Sequence, residues 1–113
     1  MIIHSPQPWT ELRVDNRYFK ENKEVWRALE DAYKDGKVKA IGVSNFLQDD
    51  LENIMEDCKV KPMVNQILMH ISNTNIELIE FCKKNDILVE AYSPIAHGEA
   101  LKNKEITIMA DKY

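Results

Sequence analysis

Residues 36–46 decide how this chain is divided into helices and strands, and their sequence is Gly36-Lys37-Val38-Lys39-Ala40-Ile41-Gly42-Val43-Ser44-Asn45-Phe46. The stretch from Val38 to Val43 is mostly apolar and predicts a strand. Upstream, apolar residues at helical spacing predict a helix over Asn22 to Asp35, with Asn22 as its N-cap and Gly36 just beyond its end. The apolar face of this helix is predicted to consist of Val25, Ala28, Leu29, Ala32 and Tyr33.

The same alternation continues on both sides of this stretch. A second helix is predicted downstream from the helical spacing of Leu47, Leu51, Ile54, Met55 and Cys58. The other predicted elements are a strand over Met1–His4, a polar loop over Ser5–Glu21, a strand over Met63–Met69, a helix from Ile76 to near Asn85, a strand over Ile87–Tyr92, a loop over Ser93–Lys102 and a helix over Lys104–Tyr113. Strands that alternate with helices predict a parallel sheet with right-handed crossover connections.

The resulting βαβαβαβα pattern is half of a well-known architecture. A closed (β/α)8 barrel takes about 250 residues, and this chain has 113. We therefore expect an α/β fold consisting of parallel βα repeats, a partial (β/α)8 TIM barrel of about half a barrel. The first strand is very short and the last helix has no stop signal, so residues 1–113 are expected to be a single partial barrel domain truncated at both ends. A small, open, doubly wound sheet is the structural alternative.

Composition excludes several classes of protein. The net charge is −4, and the basic residues are scattered among acidic ones, so we expect no nucleic-acid partner. The longest apolar run is only a few residues, so no membrane span is expected. The three glycines form neither a Gly-x-Gly-x-x-Gly motif nor a P-loop. Two cysteines without a clear pairing favour free thiols in a reducing compartment, and we expect a cytoplasmic protein.

Polar residues stand at the C-terminal end of every predicted strand: His4, Ser44, Asn45, Gln66, Tyr92 and Ser93. Parallel α/β folds bind ligands at that edge, because all the βα loops converge there. An alternative is that Ser44 and Asn45 only cap the following helix, and that Tyr92 is a core residue with a satisfied hydroxyl. Gln66 is harder to explain by structure alone, since a buried amide needs a partner.

Other candidates have weaker support. His4, His70 and His97 lack partners at metal-ligand spacing, so we expect no metal site. The run around Ser44 lacks the Gly-x-Ser-x-Gly pattern of a nucleophile elbow. Asp49 and Asp50 are expected on a solvated helix face. The remaining candidates are Trp9 and Tyr18, which either bind a ligand or pin their loop to the body, and Glu90, which either faces a barrel interior or lies at a frayed strand end.

Taken together and in order, these segments resemble the aldo-keto reductase family. The segments that carry the resemblance are Ile2-Ile3-His4, Trp26 to Glu30, Gly36 to Phe46, Val64-Asn65-Gln66-Ile67, Glu80 to Lys84 and Glu90-Ala91-Tyr92-Ser93-Pro94. The resemblance covers nearly the whole chain and places it from strand four to the start of helix seven of that family's barrel. It implies an oxidoreductase that transfers hydride between a nicotinamide cofactor and an aldehyde or ketone carbonyl, with NADPH as the cofactor and NADH not excluded.

The resemblance also implies roles for single residues. His4 matches the family's active-site histidine, which polarises the carbonyl of a small substrate. Ser44, Asn45 and Gln66 match the residues that bind the nicotinamide carboxamide. The remaining matches are Tyr92, which corresponds to the aromatic residue stacked on the nicotinamide, and Ser93, which begins the pyrophosphate loop that runs to Gly98.

The family's catalytic tyrosine, its lysine and its aspartate lie N-terminal to the matched region. We therefore expect the chain to be inactive alone, because a general acid contributes about 10²- to 10⁴-fold to rate. The alternative function is a non-catalytic, self-associating half-barrel domain, in which open sheet edges pair as a homodimer or in another self-association.

Overall fold

The computed structural model of the chain describes residues 1–8 and 17–113. Helices and strands alternate throughout this part of the chain, which confirms the predicted order of elements. In chain order the elements are β1 (Ile2–Ile3), α1 (Phe19–Lys34), β2 (Gly42–Ser44), α2 (Gln48–Met55), β3 (Val64–Leu68), α3 (Ile76–Lys84), β4 (Leu88–Tyr92), an irregular 3-10 segment (Ala96–Lys102) and α4 (Lys104–Lys112).

The four strands form one parallel sheet in the order β1-β2-β3-β4. In one row across the sheet, Ile3 pairs with Val43, Val43 with Asn65, and Asn65 with Val89. Each strand thus pairs with the next strand along the chain, and a helix makes each connection. Sequential parallel strands joined by helices form the wall of a (β/α)8 barrel, so the predicted fold class is confirmed.

One face of the sheet is covered by helices. Successive residues of a strand point to opposite faces, and Val43, Asn65 and Ile67 point toward α1, α2 and α3. The buried residues that pack with them are Trp26, Leu29, Ile41, Phe46, Leu51, Ile54, Leu78, Cys82 and Ile87. Burial of this apolar surface, at about 25 cal/mol per Å², is the main favourable contribution to folding.

The opposite face, which we call the open face, carries the alternate residues Ile2, Gly42, Val64, Leu88 and their neighbours along the strands. Leu88 is 68% exposed there and Leu68 is 42% exposed. A doubly wound sheet would bury both faces under helices. One covered face and one open apolar face instead match a barrel wall, whose inner face packs within the barrel.

Gly42 is required by a close approach between β2 and β3. A Cβ atom at this position would lie 2.4 Å from Val64 Cγ1 and 2.7 Å from the Val64 carbonyl oxygen. Both distances are shorter than a van der Waals contact, and the carbonyl cannot rotate away as a side chain could. Only glycine therefore lets the two strands pair at this point of the open face.

The first helix differs from its prediction. It begins at Phe19 rather than after Asn22, and Asn22 lies inside it, where its Nδ2 donates to the Pro6 carbonyl at 3.0 Å. The predicted apolar face was also wrong in part, because Val25 is 49% exposed while Trp26 is buried. Ala28 is exposed as well.

Hydrogen bonds to the loop that follows α2 determine which face of α1 is buried. The Trp26 Nε1 donates to the Val60 carbonyl at 3.0 Å, and Glu30 Oε1 accepts from the backbone N–H groups of Lys59 and Val60 at 2.6 and 2.7 Å. These partners are about thirty residues away in sequence, so helical spacing could not identify them. They rotate Asn22, Trp26 and Glu30 toward the body of the protein.

The start of α2 corrects a second expectation. Asp50 is only 2% exposed, whereas a solvated position was predicted. Its Oδ2 accepts from the Leu47 backbone N–H at 3.1 Å and so caps the helix. Arg17 donates to Asp50 Oδ1 at 3.0 Å and also pairs with Asp49 at 2.6 Å. The Arg17 hydrogen bond holds the pKa of Asp49 below its usual value.

The remaining elements differ from prediction mainly at their ends. β2 begins at Gly42 rather than Val38, because its pairing with β1 reaches only Gly42 and Val43. α2 ends at Met55, so Cys58 lies beyond it. Part of the predicted loop over Ser93–Lys102 forms the 3-10 segment. The observed α3, Ile76–Lys84, agrees with the predicted helix from Ile76 to near Asn85.

Candidate functional site

The C-terminal ends of all four strands meet at one edge of the sheet. Asn45, which follows β2, is bonded to every one of these strands. Its backbone N–H donates to the Gln66 carbonyl at 2.9 Å. Its Nδ2 donates to the His4 carbonyl at 3.0 Å and to Ser44 Oγ at 3.1 Å, and its Oδ1 accepts from the Tyr92 hydroxyl at 2.7 Å. Through its side-chain amide and its backbone N–H, Asn45 thus joins four other predicted site residues into one cluster.

Asn45 adopts a left-handed backbone conformation, with φ at 60°. Asparagine tolerates this region better than most residues, because its short side chain bonds locally. The alternative that Ser44 and Asn45 only cap the next helix is wrong. The N-cap of α2 is Leu47, and the cap acceptor is Asp50.

Ser44 is almost fully buried, and both bonding directions of its hydroxyl are occupied. Its Oγ donates to the Gln66 carbonyl at 2.8 Å and accepts from Asn45. The hydroxyl therefore ties β2 to β3 and orients Asn45 at the same time. For the Ser44 hydroxyl to donate a hydrogen bond to a ligand, it must first rotate away from the Gln66 carbonyl.

Asn65 supports this turn from the helix-covered face. It is fully buried, and its Nδ2 donates to the Phe46 carbonyl at 2.9 Å. Its Oδ1 is buried and accepts no hydrogen bond from the described residues. Asn65 was not predicted as a site residue, although an amide in an otherwise apolar strand was the available signal.

Gln66 and Glu90 lie opposite each other on the open face. They are register partners on β3 and β4, and Gln66 Nε2 donates to Glu90 Oε1 at 3.0 Å. Of the two interpretations of Glu90, the structure supports the one that faces a barrel interior. β4 is regular through Tyr92, so Glu90 is not at a frayed strand end.

Ser93 begins a loop with an unusual backbone. Ser93, Ala96, His97 and Gly98 all have positive φ angles, between 50° and 93°. The Ser93 Oγ lies 3.3 Å from His97 Nε2. Within the loop, the Ala96 N–H donates to the Ser93 carbonyl at 2.8 Å and the Gly98 N–H donates to the Ile95 carbonyl at 2.9 Å.

The histidines do not come together. His70 forms an isolated bridge with Asn73, and His97 lies beside Ser93. Within residues 1–8 and 17–113, no group of three or more His, Cys, Asp or Glu side chains could hold a metal ion. Tyr18 has a left-handed conformation just before α1, and Trp9 lies outside the described residues.

A cleft of about 240 Å³ opens beside the cluster and is lined by Pro6, Gln7, Arg17, Asn45, Leu47 and Asp50. It lies on the side of Asn45 where the loop after β1 approaches the start of α2. Three larger clefts lie elsewhere: one of about 470 Å³ against α1, and two of about 470 and 310 Å³ beside the segment that follows β4. Among these four clefts, Asn45 lines only the one of about 240 Å³.

The fold and site together define a class: a parallel α/β barrel segment with a polar cluster at the carboxyl ends of its strands. The aldo/keto reductase family model matches residues 1–112. The chain belongs to this family, which confirms the resemblance seen in the sequence.

Known relatives agree with that assignment. The glyoxal reductase of Bacillus subtilis is 48% identical over 91 residues, which are 80% of this chain and 33% of that protein. Among solved structures, the aldo-keto reductase MGS-M4 from a Medee basin deep-sea metagenome library is similar over 99% of this chain and 39% of its own, at 36% identity and a TM-score of 0.83. The silkworm aldo-keto reductase AKR2E5, complexed with NADPH, matches 81% of this chain and 28% of its own at 34% identity and a TM-score of 0.67.

The chain spans about a third of the length of the curated relatives it matches. None of the helices in the described part of the chain is long and apolar enough to cross a membrane.

Proposed function

We propose that this chain is the part of an NADPH-dependent aldo-keto reductase that holds the nicotinamide end of the cofactor and supplies one catalytic residue, His4. The observation that carries the proposal is the set of bonds made by Asn45, which join His4, Ser44, Gln66 and Tyr92 at one edge of the sheet. The reaction class is hydride transfer between the cofactor and the carbonyl of a small aldehyde or ketone.

The polar groups at this edge fit a carboxamide. Such a group offers two N–H donors and one oxygen acceptor. Gln66 Oε1 accepts no hydrogen bond from the described residues, and Asn45 Oδ1 accepts one, from Tyr92. These two oxygens provide acceptors for the carboxamide NH₂, and the Ser44 hydroxyl becomes a donor to its oxygen once it turns from the Gln66 carbonyl.

In the proposal, Tyr92 contacts the nicotinamide ring and His4 contacts the substrate. Bound NADPH supplies the hydride, and the protein supplies orientation. Tyr92 is half-buried, and its hydroxyl is tied to Asn45, so its ring is held in one orientation for stacking on the nicotinamide. His4 follows β1, and its carbonyl oxygen accepts from Asn45; in the proposal its side chain polarises the carbonyl of the substrate.

The loop that begins at Ser93 is the proposed contact for the cofactor pyrophosphate. The support for this role is the position of Ser93 directly after β4, at the same edge of the sheet as the Tyr92–Asn45 bond. NADPH is preferred to NADH in the proposal because solved relatives carry NADPH or NADP. Residues that would read the 2′-phosphate are not among those matched here.

The isolated 113-residue chain is proposed to be inactive or nearly so. None of its tyrosines matches the family's general acid, and loss of that group costs about 10²- to 10⁴-fold in rate. A cytoplasmic location is also part of the proposal. It is supported by Cys58 and Cys82, which are both free thiols. Burial raises the pKa of each thiol, which keeps them in the unreactive, protonated form.

The proposal is tested by calorimetric titration of the purified chain with NADPH. Saturable binding is expected, with a loss of about tenfold or more in the Asn45→Ala variant, because that change removes three side-chain hydrogen bonds at the site. The matched control is Asn53→Ala, which removes a single exposed bond to the Phe19 carbonyl. Failure of the wild-type chain to bind NADPH at millimolar concentration would contradict the proposal.

A second candidate function, a non-catalytic self-associating half-barrel, is favoured by one observation. The open face exposes Ile2, Leu68 and Leu88, and β1 and β4 each pair on one side only within the described residues. Unpaired strand edges beside apolar surface favour association with another chain. Sedimentation velocity decides this candidate: a dimer that a charge at Leu88 disrupts would support it, and a wild-type monomer would exclude it.

A further inference from the structure

Glu90 is the one acidic side chain within the strands of the described sheet, and it lies beside a proposed cofactor ligand. It is the register partner of Gln66, and Gln66 Nε2 donates to Glu90 Oε1 at 3.0 Å. Both side chains project from the open face, in the same row of the sheet as Ser44. The pair is therefore part of the surface that would meet the nicotinamide.

The pairing determines which end of the Gln66 amide points away from Glu90. An ionised carboxylate can only accept hydrogen bonds, so the Gln66 group that faces it must be the NH₂. The amide is planar, and its oxygen therefore points away from Glu90. Without a charged neighbour, a glutamine amide can turn by 180° and present either end.

Stability does not explain the pair. Glu90 is exposed, and an exposed hydrogen bond contributes little net free energy to folding. A threonine or an apolar residue would suit an inward position on β4 better than a carboxylate, which must remain hydrated or paired. The effect of the pair that remains to be considered is that Glu90 orients the side-chain amide of Gln66.

We propose that Glu90 is a positioning residue that makes Gln66 a hydrogen-bond acceptor, so that the site selects a ring substituent with an N–H donor, namely a carboxamide. The proposal rests on the proposed function, in which Gln66 contacts the nicotinamide. Glu90 itself does not contact the cofactor in this scheme. It acts by holding Gln66 Oε1 in place to accept from the carboxamide NH₂.

The test compares two cofactors on one protein. The 3-acetylpyridine analogue of NADPH has a methyl group where NADPH has the amide NH₂, so it keeps the carbonyl acceptor and loses the donor. Wild-type chain is expected to bind NADPH about fivefold more tightly than the analogue, which is the effect of about one net hydrogen bond. Glu90→Gln is expected to reduce that preference to about twofold or less, because its own amide no longer forces Gln66 into one orientation.

A matched control is available on α2. Gln48 Nε2 donates to Glu52 Oε1 at 2.8 Å, which is the same pair of groups on an exposed helix surface. Glu52→Gln removes an equivalent bond away from the strand ends and is expected to leave the preference for NADPH unchanged. A preference that survives in Glu90→Gln, or that falls equally in both variants, would overturn the proposal.

A measurement without cofactor separates this proposal from the proposed function. The ¹⁵N–¹H signals of the Gln66 side-chain NH₂ are expected to shift on Glu90→Gln and not on Glu52→Gln. Wild-type chain that binds neither cofactor would overturn the proposed function and this inference with it. Wild-type chain that binds both cofactors equally, with an unchanged Gln66 signal in Glu90→Gln, would overturn this inference alone.

Discussion

The Tyr92 hydroxyl donates a 2.7 Å hydrogen bond to Asn45 Oδ1, although the two residues are 47 positions apart in the chain. This bond crosses from the end of β4 to the turn after β2, and therefore spans β3 between them. It holds an aromatic ring beside an amide whose other atoms already bind His4 and Ser44. Removing it should affect both the stability of this edge and the binding of a nicotinamide.

Tyr92→Phe is expected to lower the free energy of unfolding by about 1 kcal/mol, which is typical of one hydrogen bond. It should also weaken NADPH binding by a few-fold, because the Asn45 amide and the ring lose their mutual restraint. Urea unfolding and calorimetric titration measure the two effects. Tyr113→Phe is the control, since Tyr113 is 90% exposed. Equal effects from both substitutions would show that the Asn45 contact is unimportant.

Asn65→Ala is expected to destabilise the chain by about 1–3 kcal/mol, since it leaves the Phe46 carbonyl without its donor in a buried site and creates a small cavity. The measurement is urea unfolding. Asn53→Ala, which removes one hydrogen bond at the surface, should cost far less. If the two alanine variants unfold at the same urea concentration, Asn65 does not support the turn.

Gly42→Ala is expected to destabilise the sheet by more than about 1 kcal/mol, because the new methyl group overlaps Val64. Part of this overlap is with a side chain and part with a backbone carbonyl. A second substitution, Val64→Ala, should therefore restore only part of the lost stability. Thermal unfolding of the single and double variants measures this, and complete rescue would show that the carbonyl contact is relieved at no cost.

The Arg17–Asp49 pair should make the stability of the folded chain depend on pH in the acidic range. The pKa of Asp49 is lowered in the folded protein by its hydrogen bond to Arg17. The stabilisation is therefore complete above the unfolded-state pKa and is lost as pH falls through the folded-state pKa, from about pH 5 downward. Asp49 is half exposed, so the effect is small.

Asp49→Asn tests this dependence. The stability difference between wild type and the variant should shrink as pH is lowered from 7 to about 2, in urea unfolding at each pH. Asp31→Asn provides the comparison, because Asp31 is exposed and makes no salt bridge within the described residues. A difference between wild type and Asp49→Asn that does not change with pH would show that the pair is not formed in solution.

The order of helices and strands could be predicted from the sequence, whereas some of their ends and several contacts between them could not. α3 was predicted from Ile76 to near Asn85 and is observed over Ile76–Lys84; the structure shows that Asn75 caps it locally through the Leu78 N–H. α1 was predicted to begin too late, since Asn22 resembles a cap but instead bonds Pro6 from within the helix. Asp50 was predicted to be solvated, although it caps α2 and binds Arg17 across the fold.

In the candidate site, too, some residues could be predicted from the sequence and one could not. His4, Ser44, Asn45, Gln66 and Tyr92 were predicted from their positions at strand ends, and the structure brings them together through Asn45. Their roles toward a cofactor, and that of Ser93, stay predictions. Asn65 was missed because its partner, the Phe46 carbonyl, becomes adjacent only when β2 and β3 pair.

By itself, the amino-acid sequence determined the element types, their order, the parallel sheet and the family. These follow from periodicities and motifs within short windows, which report local geometry. Only the tertiary structure decided which face of α1 is buried, that Asp50 is a cap, and that Glu90 faces Gln66. Each of these depends on residues that are distant in sequence and meet only when the strands pair, so no local pattern could contain them.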